Sequence, residues 1–137
     1  MKTEKLFQKD LLYRVVSILY KVHKTLGCGF SEKVYLRALE IELKNRNIPY
    51  RAEKEISISY ENKELGSFKL DLVIDEKIII KLIVAARLPK TFLHQLTSQL
   101  NATPYEIGLL VNFGAARLDF IRASKNKAEK TLLPLRW

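Results

Sequence analysis

The twenty residues from Gly66 to Ala85, GSFKLDLVIDEKIIIKLIVA, constrain the fold of this chain more than any other stretch. They read as two strands joined by a tight polar turn. In the first, Phe68, Leu70, Leu72 and Ile74 alternate with Lys69, Asp71 and Val73, the period of a strand with one face on a core. In the second, Ile78 to Ala85 is a near-continuous aliphatic run, the mark of a strand covered on both faces. Each strand holds one interior charge of interest, Asp71 in the first and Lys81 in the second. If Asp75, Glu76 and Lys77 form the turn, Ile74 faces Ile78 and Asp71 falls opposite Lys81. A two-residue turn would pair Asp71 with Ile80 and put the charges on opposite faces. The three-residue register is predicted, because it joins two buried charges that would otherwise each be stranded.

The rest of the chain supplies layers for this hairpin. Residues 4–26 carry a wide apolar stripe (Leu11, Val15, Ile18, Val22) at helical spacing, and Gly27-Cys28-Gly29 ends it. Ser31 is placed to cap a second helix, to which Val34, Ala38 and Ile41 with Tyr35, Leu39 and Leu43 give an apolar face, stopped by Asn47 to Pro49. Ile56, Ile58 and Tyr60 alternate in a short strand before the hairpin. Thr91 to Ala102 reads as a third helix, on which Gln95 and Gln99 stack four residues apart. Ile107 to Asn112 reads as a buried strand, Asn112-Phe113-Gly114 as its exit, and Leu118 to Arg122 as a last strand. The order is α-α-β-β-β-α-β-β: an α/β (α+β) domain with a mixed sheet of about five strands flanked by helices. One domain is expected over 1–137, with a core of about 10–122 and a tail from 123 that is basic and then apolar.

Charge narrows the function. Twenty-four Lys and Arg against fifteen acids give a net charge of +9, which points to an anionic partner, nucleic acid first. No apolar run approaches the roughly 18 residues of a membrane span, so a membrane partner is not expected. The N-terminus lacks the apolar core of a signal peptide, and lone Cys28 cannot form an internal disulfide; a cytoplasmic setting is expected. Candidate phosphate contacts are Arg117, Arg122, Lys125, Lys127 and Gln99. The apolar end of the tail, Leu132 to Trp137, is a candidate contact for a protein partner or a second copy. Cys28 reads as a bystander, His94 as solvated, His23 as a packed or capping histidine, and Tyr35 as a core residue with its hydroxyl bonded.

VHKTLGCGFSEKVY, Val22 to Tyr35, resembles the signature of the GxxExxY protein family, a branch of the PD-(D/E)XK nuclease-like superfamily. Gly29, Glu32 and Tyr35 stand at the naming spacing, and ALEIELKNRNI, Tyr60, the strand at Asp71, Gln95 and GLLVNFG follow in order. The resemblance covers roughly residues 10–122. It implies a restriction-endonuclease-like core and a divalent metal held by an aspartate on one strand and a glutamate on the next. A lysine two residues on would assist the attacking water, and an early acid and a later glutamine would complete the site. Mg²⁺ or Mn²⁺ suits carboxylate oxygens, and metal-bound water is the better nucleophile.

Asp71, Glu32 and Gln95 match the implied positions; Lys81 stands where the glutamate is implied and Ile83 where the lysine is. The expectation is therefore a degenerate site of Asp71, Glu32, Lys81 and Gln95, with Asp71 paired to Lys81 and no cofactor. Mg²⁺ or Mn²⁺, on Asp71 and Glu32, is expected only if the site has rearranged and stays active. The reading preferred is a nuclease fold that has lost cleavage and binds nucleic acid. An active rearranged nuclease and a protein-interaction module are the alternatives.

Overall fold

The computed structural model describes residues 2–125, and the side chains of 8–125. Lys127 and the apolar Leu132–Trp137 lie outside the described residues. The elements run α1 (Lys2–Leu26), α2 (Glu32–Asn45), β1 (Tyr50–Tyr60), β2 (Lys63–Ile74), β3 (Ile78–Ile83), α3 (Lys90–Asn101), β4 (Ile107–Asn112) and β5 (Asp119–Ser124). The five strands form one sheet in the order β1-β2-β3-β4-β5. Only β3 and β4 are parallel, with α3 as the crossover between them; the other neighbours are antiparallel. This is the α+β order that the sequence predicts.

The helices cover both faces of the sheet. Leu72, Ile78, Ile80, Leu109 and Val111 pack beneath α1 and α2, while Val73, Ile79, Ile83 and Leu110 pack beneath α3. All six β4 residues are buried, because this strand has a paired neighbour on each side and a helical layer on each face. Gly108 lets α3 lie close: a Cβ there would stand 3.2 Å from both Ile79 Cγ1 and Leu100 Cδ1.

Helix ends follow from their residues. Gly27, at φ 78°, ends α1 with its N–H donating to His23 O at 2.8 Å. Asn47, at φ 57°, ends α2: its N–H donates to Lys44 O (3.0 Å), and Ile48 N–H reaches Leu43 O (3.0 Å). The buried Ile48 and Leu43 supply the apolar contact of this Schellman turn. Ser31 takes the extended backbone of an N-cap, but its side chain makes no capping bond. The expected hydroxyl cap is therefore not formed, and only the Ser31 carbonyl takes part, accepting from Val34 and Tyr35 N–H.

The central hairpin has the predicted register. Ile74 pairs with Ile78, Val73 with Ile79 and Leu72 with Ile80. Asp75 and Glu76 sit at φ 51° and 53°, and Lys77 N–H closes the turn on Ile74 O at 3.0 Å. Two expectations fail. First, β1 is eleven residues long and begins at Tyr50, well before Ile56. Secondly, Leu70 and Leu72 do not share a face: Leu72 packs toward α1 and α2, Leu70 toward α3. Residues two apart in an unbroken strand would point the same way. The strand rolls over at Asp71, and β1 does so beside it, since Ala52 packs on the α1 side and Ile56 on the α3 side. Between them Glu53 takes φ 54°, a left-handed residue that breaks the alternation as a bulge does.

Candidate functional site

β3 and β4 are parallel and end together, so the segments 84–89 and 113–118 leave the same edge of the sheet. In open α/β sheets this is where ligands sit. The turn between α1 and α2 reaches the same place. Tyr35, fully buried at the start of α2, stacks on Phe113 with ring centroids 4.5 Å apart. Its hydroxyl donates to Gly27 O at 2.5 Å and accepts from Phe30 N–H at 3.3 Å. His23 Nε2 lies 2.9 Å from Ala115 O, a packing role as expected. Cys28 and His94 are exposed.

The exit of β4 is a clamp. Fully buried Asn112 accepts through Oδ1 from Ala85 N–H (3.0 Å) and Gly114 N–H (2.8 Å), and donates through Nδ2 to Ala85 O (2.8 Å). Phe113 N–H donates to Ile83 O at 3.0 Å. A Cβ on Gly114 would stand 2.4 Å from Ala85 N, so the two segments touch backbone to backbone. This contact explains why β3 stops at Ile83 and does not run to Ala85. The side-chain amide takes over where the ladder would have continued.

Asp71 and Lys81 meet beside this edge. Asp71 Oδ2 accepts from Leu82 N–H at 2.7 Å and lies 3.9 Å from Lys81 Nζ. Their side chains are 23% and 26% exposed, so the pair is neither dry nor free in solvent. Burial raises the Asp71 pKa above the ordinary carboxylate range and outweighs the opposing pull of Leu82 N–H and Lys81. At 3.9 Å the ammonium is a weak partner, which fits burial being the larger effect.

A second carboxylate stands next to it. Ala52 pairs with Leu72 and Lys54 with Leu70, so Glu53 and Asp71 face each other across the roll in the two strands. Glu53 accepts from Lys33 Nζ at 2.9 Å and Arg37 Nη2 at 3.1 Å, and these hydrogen bonds hold its pKa low. A row of charge therefore runs from the cations Lys33 and Arg37 on α2, through the neighbouring carboxylates Glu53 and Asp71, to Lys81 on β3. The sequence reading misses Glu53 because the charged run Arg51 to Glu55 resembles a loop. Its register against Asp71 emerges only once β1 starts at Tyr50.

The other predicted residues are scattered. Glu32 and Gln95 are exposed and take part in no hydrogen bond or ion pair among the described residues. Ile83 is buried beneath α3. Arg117 is exposed in the segment after β4, whereas Lys125 lies at the opposite end of β5, donating to Thr103 O. Arg122 pairs with Leu109 and so faces the α1 side, and its Nε is buried without a partner. Gln99, with Oε1 likewise buried and unpartnered, is on α3, across the sheet. Those candidates do not form one surface. Among the described residues no three His, Cys, Asp or Glu side chains are grouped to hold a metal ion, and no helix is long and apolar enough to cross a membrane.

A sequence profile of the PD-(D/E)XK nuclease superfamily matches residues 9–123. The chain belongs to this superfamily. The sheet flanked by helices, with the β3–α3–β4 crossover at its centre, is its PD-(D/E)XK-like core. The fold is also similar to that of a solved structure titled "Crystal structure of SSO0001", with a TM-score of 0.56 and 24% sequence identity. The likeness covers 74% of this chain and 54% of that one, so this chain spans about half the length of that protein. No curated protein matches the sequence.

Proposed function

We propose that this chain is a GxxExxY-type nuclease-fold domain that has lost metal-dependent phosphodiester cleavage and acts as a nucleic-acid-binding module. The observation that carries the reading is Lys81. Its ammonium lies 3.9 Å from Asp71 Oδ2, on the strand position where the family resemblance implies a metal-binding glutamate. That substitution reverses the charge at the place where a hard dication would need carboxylate oxygens. Ile83, at the implied lysine position, is 3% exposed in the core beneath α3 and offers no cation to an attacking water. Glu53 is the nearest further carboxylate, and Lys33 and Arg37 already neutralise it. These residues do not fit a divalent metal.

Binding rests on charge and on its placement. Arg87, Lys90 and Arg117 are exposed around the edge where β3 and β4 end, and among the described residues none of them is in an ion pair. Phosphates at this edge would meet cations that have no carboxylate to leave. With Lys81 beside Asp71 where a metal-binding carboxylate is implied, the protein's part is to grip the backbone and not to cut it.

The test is an incubation of labelled single- and double-stranded DNA and RNA with Mg²⁺ or Mn²⁺. Intact substrate that still shifts in a binding gel is the expected result. Cleavage that Asp71→Ala abolishes would overturn the proposal in favour of an active site rearranged around Glu32, Asp71 and Lys81.

A further inference from the structure

β1 is an edge strand, and among the described residues nothing pairs with its outer side. Its distal half, with the outer half of β2, extends beyond β3: β2 pairs with β3 only at Leu72 to Ile74. Edge strands in soluble proteins are usually blunted by charge, proline or a bulge. Here Ile56-Ser57-Ile58-Ser59-Tyr60 is five residues without charge or proline. The register slip beside it leaves Leu65 as the extra residue, so this bulge belongs to β2, and β1 runs unbroken from Lys54 to Tyr60. Ile58 (38%), Tyr60 (67%) and Leu65 (67%) are exposed apolar side chains on this arm. A two-stranded ribbon of this kind has little stability of its own.

The sequence of the edge is self-complementary. We propose that β1 pairs antiparallel with β1 of a second copy of this chain, about a two-fold axis at Ser57. In that register Ser57 faces Ser57 of the second copy, Ile56 faces Ile58, Glu55 faces Ser59 and Lys54 faces Tyr60. On one face Ile56 meets Ile58 and Lys54 lies along the Tyr60 ring, on the other polar meets polar, and no like charges are opposed. Glu53 and Glu61 would be the first like pair, and Glu61 already lies in the turn beyond the strand. An isologous pairing of this kind closes as a dimer and does not propagate along the edge. It would join two sheets of five strands into one. The dimer is independent of the nucleic-acid reading.

Light scattering on the full chain over a wide concentration range tests this. The expected mass is twice 15.9 kDa. Ser57→Lys and Ser57→Glu, each at an exposed position, oppose like charges on the axis and should each raise the dissociation constant about tenfold or more. Mixing the two variants in equal amounts should restore a dimer containing one chain of each, which also shows that both are folded. A wild-type monomer at every concentration, a dimer indifferent to Ser57→Lys, or a mixture that stays monomeric would each overturn the proposal. A strand from an unrelated protein as the natural occupant would appear as the first of these.

Discussion

Replacing Asn112 by alanine tests whether the end of β4 is a clamp or merely a strand exit. The wild-type side chain is fully buried and makes three hydrogen bonds, to Ala85 N–H, Ala85 O and Gly114 N–H. A net hydrogen bond contributes about 1 kcal/mol, so the three sum to about 3 kcal/mol. The loss also leaves backbone groups unpaired where Gly114 and Ala85 touch, and each such group costs about 1–3 kcal/mol unless water reaches it. With partial rehydration the total is about 3–5 kcal/mol, a large share of the roughly 5–15 kcal/mol of a domain this size. In urea the midpoint should fall with the slope unchanged, and the melting temperature should drop by about 10–20 °C. The segment bearing Arg87 should also loosen and weaken nucleic-acid binding. A loss below about 1 kcal/mol would refute the clamp, because it would mean that the backbone groups find other partners.

Three further outcomes follow from the site. Asp71 has a folded-state pKa above its unfolded value, so the native state holds the extra proton and the stability linked to this group grows as pH falls through that range. Wild type should therefore gain on Asp71→Asn in urea midpoints as pH is lowered from neutral; a pH-independent difference would contradict the burial argument. Lys81→Glu removes the ammonium and adds a carboxylate beside Asp71, so calorimetry should detect Mn²⁺ uptake in the variant and none in wild type. Uptake in both, or in neither, would show that Lys81 is not what excludes the metal. Tyr35→Phe removes the hydroxyl that ties Gly27 O to Phe30 N–H, and chemical unfolding should show a loss of about 1–2 kcal/mol. An unchanged midpoint would mean that this turn is held by the stack on Phe113 alone.

Local chemistry made much of the fold legible. The hairpin register could be read because its turn residues and its two charges agreed on one pairing, and Gly27 and Asn47 are the residue types that take left-handed turns past a helix. The long-range features were not legible. Asn112 looks like an ordinary strand exit, since its partner Ala85 is 27 residues away in the chain. The roll at Asp71 depends on the left-handed backbone of Glu53, a residue type that gives no warning of it. For the same reason Glu53 stayed hidden as the neighbour of Asp71. Lys81 and Ile83 drew notice in the sequence only against the pattern that the resemblance implies, and nothing local foretold the loose geometry of the Lys81 pair. Arg117, Arg122 and Lys125 are close in sequence, but β5 sets them apart along its length and the sheet divides Arg122 from Gln99 on α3.

The most direct test of the central claim is the affinity for labelled nucleic acid measured across a salt series in the presence of Mg²⁺. A log–log decline of affinity with salt, its slope shallower by about 0.7–0.9 for each of Arg87, Lys90 and Arg117 replaced by alanine, is predicted, with the probe recovered at full length. No binding at low salt would contradict it and reduce the positive charge to ordinary surface.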